Sequence, residues 1–566
     1  MDKLHRGSDN LTKTNPLLFK VISNAIQRIE TALEDATKAF TGKLERSVGL
    51  FGVVIISLSA MLGPGIFVLP ALATEIMGSG IWLAFFLAAI VVLPGALSKA
   101  ELSSAMPASG GTYTYIEKTY GPVAGSIAGL GLWSSLLLKS AFALIGFGAY
   151  FAVITAAFEI NLSIQTTALG LLVAITIINI LGMKKVKAIQ APIILISIAL
   201  LFVLCILTLF SGKADFSKPL EEAAFVNGAF GILETTAFVF VAYTGVTKVA
   251  AIGEEVKDPG KNLPRGMLIS LLIATLIYVI VSFCMMAVVS SAELEGREDP
   301  IYIFAKALGG TNLGLFAATV AIITMVSGAL AGLLGASRFP FGMARDNLLP
   351  EALENVHPRY ETPHVAIMIT SMAMGFAILY LPVQDIAKLA SGFKIMVFIA
   401  VHSCVLVLRR AKSTHRWYNP DYRSPMAPWV QWFGIIAGLG LIYLMGHKAI
   451  IGGVAAIVLG FILWLSYGKK HAIERETPWN TVKGLMRNPD HVEQVRREAV
   501  FHACDLGGKN HLNVRQFIRA METLGFELNH DEIRTTFHIA DENADGVIDI
   551  DEFLAFIDGE TSKEAE

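Results

Sequence analysis

FGVVIISLSAMLGPGIFVLPALA, residues 51–73, is an apolar run long enough to cross a hydrocarbon core, and Gly63, Pro64 and Gly65 interrupt it near its middle. Glycine and proline at that depth release backbone N–H and C=O groups that lipid cannot satisfy, so such a break survives only where protein or a wet cavity surrounds it. A second run, GILETTAFVFVAYTGVTKVAAIG (residues 231–253), is interrupted around Tyr243, Thr244 and Gly245. Each run opens one half of five spans. A single kink is ordinary at a tight helix crossing. Two breaks in the first and sixth spans point to an inverted repeat with a binding region near the bilayer midplane.

Working outward, the remaining sequence supplies the frame for these two helices. The chain has 566 residues, 54% of them hydrophobic and 16% charged, with a mean hydropathy of +0.59, the composition of an all-α polytopic membrane protein. Apolar stretches fall near residues 48–73, 80–103, 122–155, 164–182, 190–211, 228–251, 267–290, 313–336, 364–382, 386–408, 427–446 and 449–467, which makes about twelve spans. An even number puts both termini on one side. Lys3, Arg6, Lys13, Lys20, Arg28, Lys38, Lys43 and Arg46 precede the first span, so that side is expected to be cytoplasmic, in the cell membrane. No cleavable secretory signal is evident in residues 1–30. The first span is the expected targeting signal. Leu18, Ile22, Ile26, Ile29 and Leu33 give residues 16–47 an amphipathic helical spacing, suited to a membrane surface or a protein face.

The net charge of -2 argues against a nucleic-acid partner, which requires a concentrated basic face. Cys205, Cys284, Cys404 and Cys504 are too scattered for a disulfide framework or a metal motif. The chain has no His-Glu metal motif, phosphate-cradling Gly-Lys-Ser loop or nucleophile elbow, and an enzyme is not expected. Lys139 stands out inside LWSSLLLKSAFALIGFGAY (residues 132–150), too far from either end to snorkel easily. It reads either as part of a translocation path, carrying a proton or a fixed charge, or as one member of a structural pair with a carbonyl or an acid. Glu234, nine residues before Tyr243, belongs about 13 Å along the helix toward the opposite mouth. Lys388 and Lys394 read as snorkelling or water-exposed.

Three further stretches carry a family resemblance. LGPGIF (Leu62–Phe67) resembles the first-helix signature of the amino acid, polyamine and organocation permeases. EEVKDPGKNLPRG (Glu254–Gly266) is similar to that family's loop after helix six, and SRFPFGMARDNLLP (Ser337–Pro350) to its loop after helix eight. The resemblance implies a leucine-transporter-like 5+5 core and secondary transport of amino acids or related small organic solutes by alternating access. Transport of organic cations or polyamines, or a calcium-gated ion pathway, is the alternative. In the family, backbone N–H groups at the first break hold a substrate carboxylate and carbonyls at both breaks receive its ammonium. Carried over, the carboxylate site is Gly63, Gly65 and Ile66, the facing wall is Phe240, Ala242, Tyr243, Thr244 and Gly245, and Ser59 and Ala60 line the inner half of the break. Pro64 stands where the family usually has serine and offers neither an N–H nor a hydroxyl. The helix-five lysine of some proton-coupled relatives has no counterpart in residues 190–210, and the adjacent hydroxyls of sodium-using relatives become Ser327 and Gly328, with Thr324 one turn earlier. The coupling ion is therefore left as proton or sodium, with Lys139, Thr324 and Ser327 as candidates.

Beyond the last span the composition changes. The boundaries read as a cytoplasmic amphipathic segment (1–47), a transmembrane permease domain (48–467), a linker (468–490) and a cytoplasmic EF-hand domain (491–566). DENADGVIDIDE places Asp541, Asn543, Asp545, the carbonyl of Val547, Asp549 and a bidentate Glu552 at calcium-ligand spacings, with Gly546 at the sharp turn. The upstream loop DLGGKNHLNVRQ (residues 505–516) keeps the hydrophobic Leu512 but has Gly507, Lys509 and Gln516 at ligand positions, so it is expected not to bind calcium. Phe501, Phe517, Phe537, Phe553 and Phe556 are the candidate core of this pair, and calcium is its expected partner.

Overall fold

The structure is a computed structural model that describes residues 46, 48–106, 111–182, 186–251, 253–360, 362–411, 418–471, 477–487, 497–498, 500–505, 510–524, 536–541, 543 and 545–564. The amphipathic segment read from residues 16–47 lies outside the described residues, apart from Arg46.

The first span is cut where its sequence is cut. Helix α1 (Leu50–Met61) ends against Leu62, and the chain restarts as α2 (Pro64–Phe67) and α3 (Leu69–Met77). Proline opens α2 because the first turn of a helix needs no N–H from it. There follow α4 (Ile81–Ala105), the short α5 (Thr112–Tyr120), α6 (Pro122–Ala156), α7 (Ile164–Ile180) and α8 (Val186–Phe210). The second half opens with α9 (Gly228–Tyr243), whose end unwinds into turns before a short 3-10 segment at Lys248–Ala251. It continues through α10 (Pro259–Val288), the single turn α11 (Ser291–Leu294), α12 (Pro300–Arg345), α13 (His364–Tyr380) and α14 (Val383–Arg410). Within α12, Gly309 and Gly310 leave helical geometry, with Gly310 at φ +78°, so a short lead-in helix is set apart from the span proper. Helices α15 (Trp429–Leu444) and α16 (His447–Leu463) complete the membrane region. Among the described residues, eight helices are long and apolar enough to cross a membrane and four shorter apolar ones accompany them, in line with the twelve spans expected.

The two broken helices sit at the centre, packed against α4, α6 and α10, while α6 and α12 run along each other. Their closest approach is at Gly245, where a β-carbon would collide with the carbonyl of Ala60 and with the amide of Met61. Only glycine lets the two unwound backbones touch. From Met61 to Thr74 every residue is buried, whereas Ser59 and Ala60 are half-buried. The core is therefore sealed on the face carrying Gly78 and Asn227, hereafter the far face, and looser toward the near face carrying Val48 and Arg410.

The far face is capped by the loop after α11. Glu75, at the end of α3, accepts a hydrogen bond from the Gly296 N–H (3.2 Å), and Arg297 pairs with Asp299 (2.6 Å). Glu298 lies between these groups with its Oε2 buried and unpartnered. Burial first, and then the neighbouring charges of Asp299 and Glu75, push its carboxyl up from 4.5 to about 7.

Past α16, the stretch read as a linker contains α17 (Pro478–Arg487), docked on the near end of the membrane region. Its Trp479 ring lies 5.7 Å from that of Tyr120, and Val482 packs with Val407 and Ala411. The tail holds α18 (Val514–Leu524) and α19 (Ile550–Glu564), with a two-residue antiparallel ribbon that pairs Leu512 with Ile548 and His511 with Asp549. Phe501, Phe517, Phe537 and Phe553 are buried in one core, with Phe556 packed at its edge.

Two outcomes are expected. Gly245→Ala forces the unwound segments apart and costs about 1–3 kcal/mol of stability, the range of overpacked cores. The apparent melting temperature of the purified variant should fall by several degrees, and an unchanged value would mean that the two backbones do not meet there. For Glu298, the raised carboxyl pKa means the folded protein holds a proton that the unfolded chain releases at lower pH, so its contribution to stability is complete below about 4.5 and lost as pH rises through about 7. Hydrogen exchange in residues 291–299, corrected for intrinsic rate, should then accelerate between about pH 4.5 and about pH 7 in the wild type, level off above that, and stay flat throughout in Glu298→Gln. Equal pH response in the two proteins would contradict this.

Candidate functional site

At the first break the chain turns through Gly63, where nothing lies within 4 Å of a notional β-carbon. The Ile66 and Phe67 N–H groups donate back to the Gly63 carbonyl (3.2 and 3.1 Å), which leaves the Gly63 and Gly65 N–H groups as the donors at the opening of α2. Gly65 is held close to α9, since a β-carbon there would press on Ala242 and on the Tyr278 hydroxyl. Of the three amides expected around a carboxylate, Ile66 is thus the one already engaged.

The carbonyls released by the two breaks converge on one side chain. Lys139 Nζ donates to the carbonyls of Ala60 (2.9 Å), Val241 (3.1 Å) and Ala242 (3.4 Å) and to the Thr244 hydroxyl (3.2 Å). The residue projects from the middle of α6 and is half-buried. Both sequence readings of Lys139 therefore meet in one place, a structural bond to carbonyls that are also the expected ammonium acceptors. Tyr278 of α10 adds a second clasp, donating to the Met61 carbonyl (2.8 Å) and to that of Ala242 (3.4 Å). Sequence reading missed Tyr278. Its only signal was a lone hydroxyl-bearing ring in an otherwise apolar span.

The other named residues are distributed around this centre. Tyr243 donates its hydroxyl to the Phe85 carbonyl (2.9 Å), turning away from the break, and its ring packs edge-on to Tyr278. Phe240 meets Phe398 of α14 edge-on at 5.8 Å. Ser59 donates to Ile56 within its own helix. Thr324 is fully buried and its hydroxyl bonds Val320 (2.7 Å) and Ser197 of α8 (2.6 Å), so it belongs to the α8–α12 contact rather than to the break. Ser327 is half-buried one turn away. On the far side Glu234 pairs with Lys388 (3.2 Å), both partly exposed, which replaces the snorkelling expected of Lys388 with an ion pair between α9 and α14. A separate crevice of about 310 Å³ lies between α8 and α10, lined by Ile198, Cys205, Ile277, Cys284 and other apolar side chains, and offers no polar group to a solute.

In the tail the loop from Asp541 to Glu552 has the turn at Gly546 (φ +84°) that its sequence requires. Asp541 accepts from the Asp545 and Gly546 N–H groups (3.2 and 3.0 Å), Asn543 and Asp545 accept from Asp545 and Val547 (2.8 and 2.9 Å), and Glu552 accepts from Asn543 and Asp549 (3.2 and 3.0 Å). The loop is thus shaped by its own acceptors. Among the described residues no three His, Cys, Asp or Glu groups converge on one metal position. The donor set itself, four carboxylates, one amide oxygen and one carbonyl, is all oxygen, as a hard cation prefers. In the upstream loop Gln516 is spent on a reciprocal pair of bonds with Asn513 (2.9 and 3.1 Å), while Gly507 and Lys509 lie outside the described residues.

Comparison with known proteins agrees with this division. The amino acid permease family profile matches residues 48–468, and the EF-hand domain pair profile matches residues 494–557. The branched-chain amino acid permease BcaP of Bacillus subtilis (strain 168) is 28% identical over 464 residues, covering 78% of this chain and 97% of that protein. The serine/threonine exchanger SteT of the same organism is 28% identical over 446 residues (75% and 97%), and its methylthioribose transporter 26% over 445 (76% and 95%). A family profile spanning the whole membrane region, two broken helices facing each other at its centre and relatives that are transporters, not enzymes, place this chain in the amino acid permease family, as a multi-pass membrane transporter of small molecules with a C-terminal EF-hand pair.

Proposed function

We propose that the protein carries amino acids by alternating access through the chamber between the two breaks, with Lys139 as its internal cation. The observation that supports this reading is that the Lys139 ammonium is hydrogen-bonded to Ala60, Val241 and Ala242, carbonyls of both broken helices. A solute carboxylate meets the Gly63 and Gly65 N–H groups, donors that the break leaves without a backbone acceptor. Phe240, Ala242, Tyr243, Thr244 and Gly245 form the facing wall, and Ser59 and Ala60 the approach. The solute ammonium needs the same carbonyls that Lys139 holds. Binding therefore requires Lys139 to withdraw or to give up its proton, which links solute binding to a protonation step and favours proton over sodium as the coupling ion. The near face is cytoplasmic, following the basic residues ahead of the first span. The permease domain runs from 48 to 467, and the EF-hand domain from 491 to 566.

Labelled amino acids should show saturable counterflow into proteoliposomes preloaded with the same solute. Lys139→Arg, which keeps a donor for the carbonyls but does not give up its proton, should lower that flux by about tenfold or more, or remove its pH dependence, while size-exclusion behaviour is unchanged. Full flux with unaltered pH dependence in the variant would refute the assigned role, and flux without counterflow would favour an ion pathway.

The tail is proposed to bind one calcium ion through Asp541, Asn543, Asp545, the Val547 carbonyl, Asp549 and Glu552, and so to modulate transport. Its mechanical route is α17, which lies between the EF-hand pair in sequence and the near ends of α5 and α14 in space. Calcium should raise the melting temperature of the full-length protein and change the counterflow rate. Asp541→Ala should abolish both effects, and Trp479→Ala should abolish only the second. An equal calcium response of transport in wild type and Asp541→Ala would exclude this loop as the sensor.

A further inference from the structure

Lys139 is not alone. Lys99 of α4 is fully buried and donates to the Thr247 hydroxyl (2.9 Å), three residues beyond the Thr244 that holds Lys139. Lys248, the next residue and the first of the 3-10 segment, is half-buried and donates to the Ala331 carbonyl (3.4 Å). Lys394 of α14 is half-buried with its Nζ 5.6 Å from the centre of the Phe398 ring, and Lys99 Nζ lies 5.9 Å from the centre of the same ring. That ring meets Phe240, one wall of the proposed chamber. Four ammonium groups thus surround the stretch Thr244–Lys248 and the Phe240 wall, and every hydrogen-bond acceptor they use is a neutral oxygen.

Among the described residues, the acids on α4, α9 and α14 are committed elsewhere, Asp385 of α14 to Lys448. Glu101 of α4 is tied to Arg409, Tyr418 and Ser424, and Glu234 to Lys388. Buried cations are costly unless an anion or a proton loss relieves them. Three of the four residues are only half-buried, and Gly328 on α12 has nothing within 4 Å of a notional β-carbon.

We infer that the transported amino acid carries an acidic side chain, whose carboxylate enters this lysine cluster while its α-carboxylate meets Gly63 and Gly65. The inference rests on the transport reading above and narrows it to net-anionic amino acids. Lys139 serves the amine subsite, and Lys99, Lys248 and Lys394 set the charge of the solute. A neutral or cationic amino acid would leave the cluster unbalanced or add to its charge.

The test uses the purified full-length protein. Glutamate or aspartate should raise its melting temperature and exchange in counterflow, whereas leucine and arginine at equal concentration should do neither. Lys248→Met and Lys394→Met, singly and together, should weaken the glutamate effect by roughly tenfold or more. Without solute they should melt at or above the wild-type temperature, because each removes an uncompensated cation; a purely structural lysine would lower it. Leucine or arginine exchanging while acidic amino acids neither exchange nor stabilise would overturn the inference and leave the transport reading intact. Stabilisation by acidic amino acids with no counterflow of any solute would support the lysine site and overturn transport. Stabilisation by chloride alone equal to that by glutamate would overturn the assignment of a carboxylate.

Discussion

The contact on which the rest of this structure depends is the Lys139 ammonium held by the carbonyls of Ala60, Val241 and Ala242. Unwinding a helix inside a membrane frees acceptors that have no water to turn to, and each one left unsatisfied costs several kcal/mol. Here one side chain serves carbonyls from both halves of the repeat, and the Tyr278 hydroxyl takes Met61 and shares Ala242. The proposed binding mode needs those same acceptors available. The protein meets both demands with a donor on a flexible four-carbon stem, which can leave, rather than with backbone, which cannot. Gly245 supplies the remaining condition by letting the two unwound backbones meet without an intervening side chain.

What could be read in advance divides by range. The breaks at Gly63–Gly65 and Tyr243–Gly245, the number of spans and the calcium loop are local patterns, in which residue type and spacing carry the physics, and the structure shows the breaks, the spans and the Gly546 turn in place. Lys139 was visible as an anomaly because a charge in mid-span is costly wherever it points. Its partners were not visible, because they are carbonyls, and every residue has one. Tyr278 was hidden for the same reason. Thr324 illustrates the opposite error, a residue type appropriate to an ion site whose hydroxyl is committed to Ser197 across a helix contact that no linear pattern records. Helix α17 was hidden among the polar residues of a supposed linker because only its docking surface, Tyr120, Val407 and Ala411, gives Trp479 and Val482 somewhere to be buried.

Charged residues are spaced along α14 from the far face, past the proposed chamber, to the near face. Lys388 reaches Glu234 on the far side, Lys394 flanks Phe398 at the chamber, and Arg409 reaches Glu101 near the other end. The near end of the same helix also carries Val407 and Ala411, the surface on which Val482 of α17 packs. A displacement of α14 would therefore be felt at the far ion pairs, at the proposed solute wall and at the helix that leads to the EF-hand pair, with no separate relay required.

The three ion pairs on α14 are not equivalent: Arg409–Glu101 is at the near end, and Lys388–Glu234 and Asp385–Lys448 are at the far end. Glu101 is fully buried and accepts five hydrogen bonds, two from Arg409 (2.8 and 2.7 Å), one from Tyr418 (2.7 Å) and two from Ser424 (both 2.8 Å). Separating such a buried, fully bonded pair leaves an uncompensated carboxylate and costs about 3–5 kcal/mol. Glu234 and Lys388 are each about a quarter exposed and joined by one 3.2 Å contact, the kind of pair that contributes about 0–1 kcal/mol. Under the proposed cycle, the near end of α14 is the fixed pivot, moving with α4 and its loop as one body, and the far end is the part that swings. The contacts that would yield are then Glu234–Lys388 and the exposed Asp385–Lys448, on the face where residues Met61–Thr74 are all buried.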